Sequence, residues 1–249
     1  MSWQTKQNDP NDPRIRETRK QALVRARARW LIDDREKYLA QEAVGKRVLD
    51  VGVVAHTPDA YKSQTWLHRH IHEHAAYCLG CDVLGPELEH LGALGYNVIC
   101  HDITSTPLDE TFDLIILGEV IEHVGRPADL LGNCTRMLAP KGKVILTTPN
   151  PWFVTYLLRG LCGKAPLVDS VDHVAWYDAA TLYELADRAG LRLERFTGVR
   201  ATKTYTAKAK LLFAAFRTLG RLVLRSEALA KSIIYEFVQR PDARVSQGP

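Results

Sequence analysis

Seven short apolar runs alternate with helical patterns between residues 47 and 239, and that alternation leaves few architectures open. The first run, Arg47–Val51 in KRVLDVG, stops at Gly52. The next are Ala76–Asp82, Asn97–Asp102, Phe112–Gly118 (FDLIILG, the clearest), Lys143–Thr148 (KVILTT), Leu191–Thr197 and Ser232–Gln239 (SIIYEFVQ). Runs this short and apolar, bounded by turn residues, are strands buried on both faces. Helical patterns are expected at Ala60–Ala75, Pro86–Leu94, Pro127–Leu138 and Asp178–Ala189. Pro127 suits a first helical turn, and Gly95 and Gly190 are stop signals. Strand-then-helix at this spacing means right-handed βαβ units. The expected fold is α/β: a doubly wound, seven-stranded, mostly parallel sheet with helices on both faces and the last strand antiparallel.

Ligands of such sheets bind beyond the carboxyl ends of the strands. Those positions are Gly52, Asp82, Asp102, Gly118–Glu119 and Thr148–Asn150. Acidic groups there suit a nucleoside ligand with hydroxyls and an amino group to donate. The net charge of +4 is too small to argue for nucleic acid. Residues 1–13 lack an apolar signal region, and no run approaches the eighteen or so apolar residues of a membrane span. Five scattered cysteines point to a reducing, cytoplasmic setting. Residues 1–45 read as a polar tail and a helix, Arg14–Glu42, packing on the domain; residues 46–239 form the domain and 240–249 a tail.

The ordered motifs resemble the class I S-adenosylmethionine-dependent methyltransferases, a Rossmann-like family. VLDVG looks like its first motif, and GCDVLGPELEHLGALGYNV like its second strand and following helix. CHDI resembles the adenine-contacting strand end, and FDLIILGEVIEHVGRPADLLGNCTRMLAPKGKVILTTPNP the fourth-to-fifth-strand block. DHVAWYDAATLYELADRAGLRLERF is similar to the segment before the sixth strand in small-molecule O-methyltransferases of the quinone-biosynthesis type. The resemblance implies S-adenosyl-L-methionine as cofactor. Asp50 and Gly52 would organise the turn beneath its amino-acid moiety, with His56 reaching its carboxylate or capping the turn. Asp82 would accept from the ribose hydroxyls and Asp102 from the adenine amino group, with Ile103 beside the ring. Gly118 and Glu119 would lie near the sulfonium. One stretch departs from the pattern: the family's G-x-G-x-G becomes Gly52-Val53-Val54-Ala55-His56. Valine disfavours positive φ, so this turn must take another path.

His173, in VDHVAWY, is the first choice of general base, since histidine exchanges a proton near neutral pH. His123, in GEVIEH, is the second catalytic candidate. Two connections are expected at the ligand rim, 150–177 and 198–231. The first carries Trp152, Tyr156, Trp176 and Tyr177, an aromatic lining for an apolar or amphiphilic acceptor. The second carries a basic amphipathic stretch, 207–225, of the kind that lies on an anionic membrane. His68/His72 and His70/His74 are i,i+4 pairs without further ligands in sequence, and Cys78/Cys81 is a single C-x-x-C within a strand. No metal is assigned. The expected activity is methyl transfer to a small-molecule, glycolipid or other lipid-linked acceptor, at a hydroxyl oxygen. The rivals are a non-catalytic protein on the same fold, suggested by the missing glycines, and a nicotinamide-dependent oxidoreductase, which would want the absent G-x-G-x-x-G.

Overall fold

A computed structural model describes residues 12–28, 30–55, 59–163, 170–200 and 226–241. Its seven strands are β1 Arg47–Val51, β2 Tyr77–Asp82, β3 Val98–Cys100, β4 Phe112–Gly118, β5 Leu138–Pro149, β6 Leu191–Arg200 and β7 Ala230–Gln239. They form one sheet in the order β3-β2-β1-β4-β5-β7-β6. The pairs among β1 to β5 are parallel, and β7 lies antiparallel between β5 and β6. The order reverses between β1 and β4, so the ligand crevice of this sheet opens beyond the ends of those two strands.

Alternation along the strands separates two apolar layers. Leu49, Ile115, Leu117, Val144 and Leu146 face one side, with Leu130 and Cys134 of α5 (Pro127–Met137) and Leu182 of α7 (Ala179–Arg188). Val48, Leu114, Ile116 and Ile145 face the other, with Leu39 of α2 (Arg35–Ala43) and Ile71 of α3 (Leu67–His74). A helix α4 spans Gly85–Ala93. A strand covered on both faces leaves no polar alternation, which is why these runs read so plainly as apolar.

Several elements differ from the expectation. The single helix Arg14–Glu42 is two, α1 (Pro13–Ala26) and α2. Between them Arg27 and Ile32 bridge to β6: Ala28 N–H donates to Phe196 O, Ile32 N–H to Gly198 O, and Arg200 N–H to Ile32 O. Covering this edge strand satisfies backbone groups that one long helix would leave bare. Asp34 restarts the helix by accepting from Lys37 N–H at 2.9 Å. The expected helix over Ala60–Ala75 is a 3-10 turn at Ala60–Lys62 and then α3. It breaks where the Ser63 hydroxyl accepts from Thr65 N–H and where Trp66 is buried, its indole N–H on Val53 O at 2.9 Å. An unforeseen helix α6, Val154–Leu161, lies within the 150–177 connection. The second rim connection is shortened by the longer β6 and β7, and the 207–225 stretch lies outside the described residues.

Candidate active site

Two strand-end turns meet at the crevice. After β1 the chain turns at Gly52, whose φ is +81°, and Gly52 N–H donates to Cys81 O of β2 at 2.8 Å. A Cβ at this position would lie 2.5 Å from Cγ2 of Val120, which follows β4. The glycine therefore meets both conformational and steric demands. Among the described residues of this turn, only Gly52 has positive φ. Val53 is buried in a small apolar cluster with Trp66, Leu88 and Leu91, and Val54 packs against it. The valines thus route the turn towards α4, with their side chains as anchors where the usual motif has bare backbone. His56 lies outside the described residues.

Asp82 ends β2 and holds this turn from the side. Its carboxylate accepts from Val54 N–H (2.9 Å), Val83 N–H (2.7 Å) and Leu84 N–H (3.3 Å). Two carboxylate oxygens offer about four acceptor sites, so capacity remains for a ligand hydroxyl. Asp102 follows β3 and accepts from Thr104 N–H and Oγ1 and from Ser105 Oγ. Hydrogen bonds from Ser105 and Thr104 lower its pKa, so it is an ionised acceptor at neutral pH. Ile103 is buried in the main core, and its carbonyl accepts from Asn133. Asp50 lies beneath the turn, buried, with His68 Nδ1 2.9 Å from its Oδ2. A positive-φ cradle, a remaining acceptor at Asp82 and an acceptor at Asp102 fit a nucleoside with a charged amino-acid tail. A cavity of about 440 Å³ lies beside the turn, lined by Val53, Ala55, Tyr61, Trp66 and His90; it flanks the crevice and is not lined by Asp82 or Asp102.

The β4 end brings a second group of polar side chains together. Gly118 permits close approach of α3, since a Cβ there would stand 2.8 Å from Leu67 Cδ2. Glu119 takes φ +58°, unusual for a residue with a side chain, and its N–H is held by Thr147 O and Oγ1, both at 3.1 Å. Backbone strain of this kind clusters at functional sites. The Glu119 carboxylate accepts from Ser232 Oγ at 2.6 Å and stands 3.4 Å from Arg35. Glu122 is 1% exposed; Thr148 Oγ1 donates to its Oε2 at 3.1 Å, and its Oε1 is buried without a partner. Burial, then the charge of Glu119, push this carboxyl up to about 8.

His123 and His173 come together from different segments. Their rings are 4.7 Å apart and near-perpendicular, and His123 Nδ1 is 3.0 Å from Asp172 Oδ2. Val174 N–H donates to Glu122 O at 2.8 Å, which ties the 150–177 connection to the β4 end. Donor atoms of Glu122, His123 and His173 lie within 4.8 Å of one another, a spacing open to proton transfer and to a divalent cation. Trp176 packs edge-on to His173 (6.2 Å) and Tyr156 to Trp176 (5.7 Å). Tyr177 packs on the core, its pKa raised by burial and by Glu122. Trp152 stands apart, its indole N–H on Asp178 at 3.3 Å. In sequence Glu122 reads either as an acid/base group or ligand or as an anchor of its loop, and Asp172 carries no site signal. Glu122 sits inside GEVIEH and Asp172 directly precedes His173, but only the fold shows which side chains meet.

Comparison with known proteins decides the family. The Methyltransferase domain family matches residues 23–195. The chain belongs to this family. It is an S-adenosylmethionine-dependent methyltransferase. It is 28% identical over 179 residues to a Ubiquinone biosynthesis O-methyltransferase of Coxiella burnetii, covering 66% of this chain and 72% of that one. A Methylococcus capsulatus protein of the same name is 35% identical over 81 residues, 31% of this chain and 34% of that one. Among solved structures, the methyltransferase from Mesorhizobium loti has a TM-score of 0.53 at 18% identity, covering 81% of this chain and 94% of that one. The complex containing the Haloferax volcanii Trm112 methyltransferase activator gives 0.56 at 16% identity, with 92% and 95% covered. At these identities the structures speak for the fold: the methyltransferase sheet with its antiparallel β7. No helix among the described residues is long and apolar enough to cross a membrane.

Proposed function

We propose that this methyltransferase acts on a hydroxyl of a small, partly apolar acceptor, with His173 as the general base. The observation that carries the reading is the meeting of His123 and His173 beside the β4 end, next to the Tyr156–Trp176 wall. A bound S-adenosylmethionine supplies an electrophilic methyl on a positive sulfonium. Asp82 and Asp102 would hold its nucleoside, and the Gly52 turn its amino-acid end. The protein's remaining task is to place the acceptor oxygen in line and take its proton. His173 takes that proton; His123, oriented by Asp172, packs against it and fixes its ring. The aromatic wall favours a phenolic or lipid-linked acceptor, in keeping with the name carried by the curated relatives.

The same cluster supports a second reading. Glu122 Oε1 is buried without a partner, and a divalent cation held by Glu122, His123 and His173 would satisfy it. The cation would then lower the pKa of the acceptor hydroxyl. One experiment separates the readings: turnover of a catechol acceptor by wild type and His173→Ala, with and without chelator. The base reading predicts chelator-resistant turnover that falls about 10²-fold or more in the variant, with cofactor affinity unchanged. Chelator-sensitive turnover restored by Mg²⁺ or Zn²⁺ supports the cation. Equal loss of cofactor binding in His173→Ala contradicts both.

A further inference from the structure

The face of β2 that looks at α3 carries a separate set of donors. Cys78 and Gly80 are two apart on the strand and so share a face. His68 of α3 settles onto it because residue 80 has no side chain: a Cβ there would lie 2.8 Å from His68 Cε1 and 3.1 Å from Nε2. The His68 side chain is fully buried, its Nδ1 2.9 Å from Asp50 Oδ2. Asp50 thus occupies one ring nitrogen, and Nε2 is the other. Nε2 is buried and has no hydrogen-bond partner. A buried polar atom without a partner is costly, so it calls for an explanation. His72 lies one turn further along the same helix face, its ring 6.1 Å from that of His68. One donor atom from each of His68, His72 and Cys78 lies within 4.8 Å of the others.

We propose that His68, His72 and Cys78 bind a transition-metal ion of zinc type. Two imidazoles and a thiolate suit Zn²⁺ and exclude Mg²⁺ or Ca²⁺, which want oxygen. Asp50 holds the far nitrogen of His68, an arrangement that fixes the tautomer and orients a ligating ring. His72 is exposed while His68 and Cys78 are buried. The ion enters from the His72 side, and water completes its tetrahedron there. The Cys78 thiol gives up its proton on ligation, one per ion bound. Trp66 and Tyr96 pack against the imidazoles and shield the site. The ion joins α3 to β2 and, through Asp50, braces the end of β1 beneath the cofactor turn. This site shares no residue with the Glu122–His123–His173 cluster.

The test uses the full chain, stripped with chelator and titrated with Co²⁺, read by absorption. Expected are one equivalent bound with tetrahedral d–d bands and a thiolate-to-cobalt charge-transfer band, displaced by Zn²⁺. Cys78→Ser should abolish the thiolate band. His72→Ala, at an exposed position, should weaken Co²⁺ and Zn²⁺ binding at least ~10-fold. His70→Ala, on another face of α3, should leave the affinity and the band unchanged. Absence of the thiolate band from wild type, its survival in Cys78→Ser, wild-type metal affinity in His72→Ala, or equal weakening in His70→Ala would overturn the proposal.

Discussion

Glu122 and Glu236 are both buried carboxyls, and their surroundings push them in opposite directions. Burial and the charge of Glu119 raise Glu122 to about 8, so it enters the fold as the neutral acid. An unfolded glutamate ionises near pH 4.3. Glu122 therefore contributes stability fully below that pH and loses it as pH rises through about 8, a few kcal/mol in total at about 1.4 kcal/mol per unit. In chelator-treated protein, Glu122→Gln should flatten this fall; denaturant midpoints between pH 5 and 9 would show it, and an unchanged slope would contradict the assignment. Glu236 is also buried, which alone would raise it. Hydrogen bonds from Tyr38 (2.6 Å) and Arg195 (2.7 Å) and the charge of Lys143 outweigh burial, and its pKa is lowered. Its stabilisation is present above the unfolded pKa and is lost as pH falls through the folded one. Glu236→Ala would strand Arg195, Lys143 and Tyr38 and should cost about 3–5 kcal/mol in urea unfolding. A cost below 1 kcal/mol would show the network to be solvated.

Among the elements, the turn after β1 organises the site and departs most from its family's pattern. Gly52 keeps the positive φ, while Val53 and Val54 exchange free backbone for anchorage in the Trp66–Leu88–Leu91 cluster. Gly52→Ala places a Cβ 2.5 Å from Val120 Cγ2 at φ +81°. It should destabilise by roughly 1–3 kcal/mol and weaken cofactor binding. Calorimetry with S-adenosylhomocysteine checks this, and wild-type affinity in the variant would contradict it. The strands were legible because burial on both faces made them apolar throughout, as in FDLIILG. Helix breaks were not. The division between α1 and α2 depends on backbone pairing of Arg27, Ala28 and Ile32 with β6, nearly 170 residues away, and propensity carries no trace of it. The break before α3 depends on Trp66 finding Val53.

For the whole molecule, the sheet order decides which distant residues meet. It sets Asp82, Gly52 and Val120 after β4 side by side, at the carboxyl ends of the strands where such sheets bind ligands. Pairings across elements were invisible in sequence: His68 with Asp50, His123 with His173 and Asp172, Cys78 with the α3 histidines. The alternating histidines of WLHRHIHEHAA give no sign in sequence of which is covered, and His68 is 1% exposed against β2. The central claim is that the valine-bearing turn still serves a cofactor crevice organised by Asp82. Isothermal titration of the full chain with S-adenosylhomocysteine tests it directly. The account predicts saturable one-to-one binding by wild type, loss of that binding in Asp82→Ala, and no heat with NAD. No detectable binding by wild type, or affinity unchanged in Asp82→Ala, would contradict it.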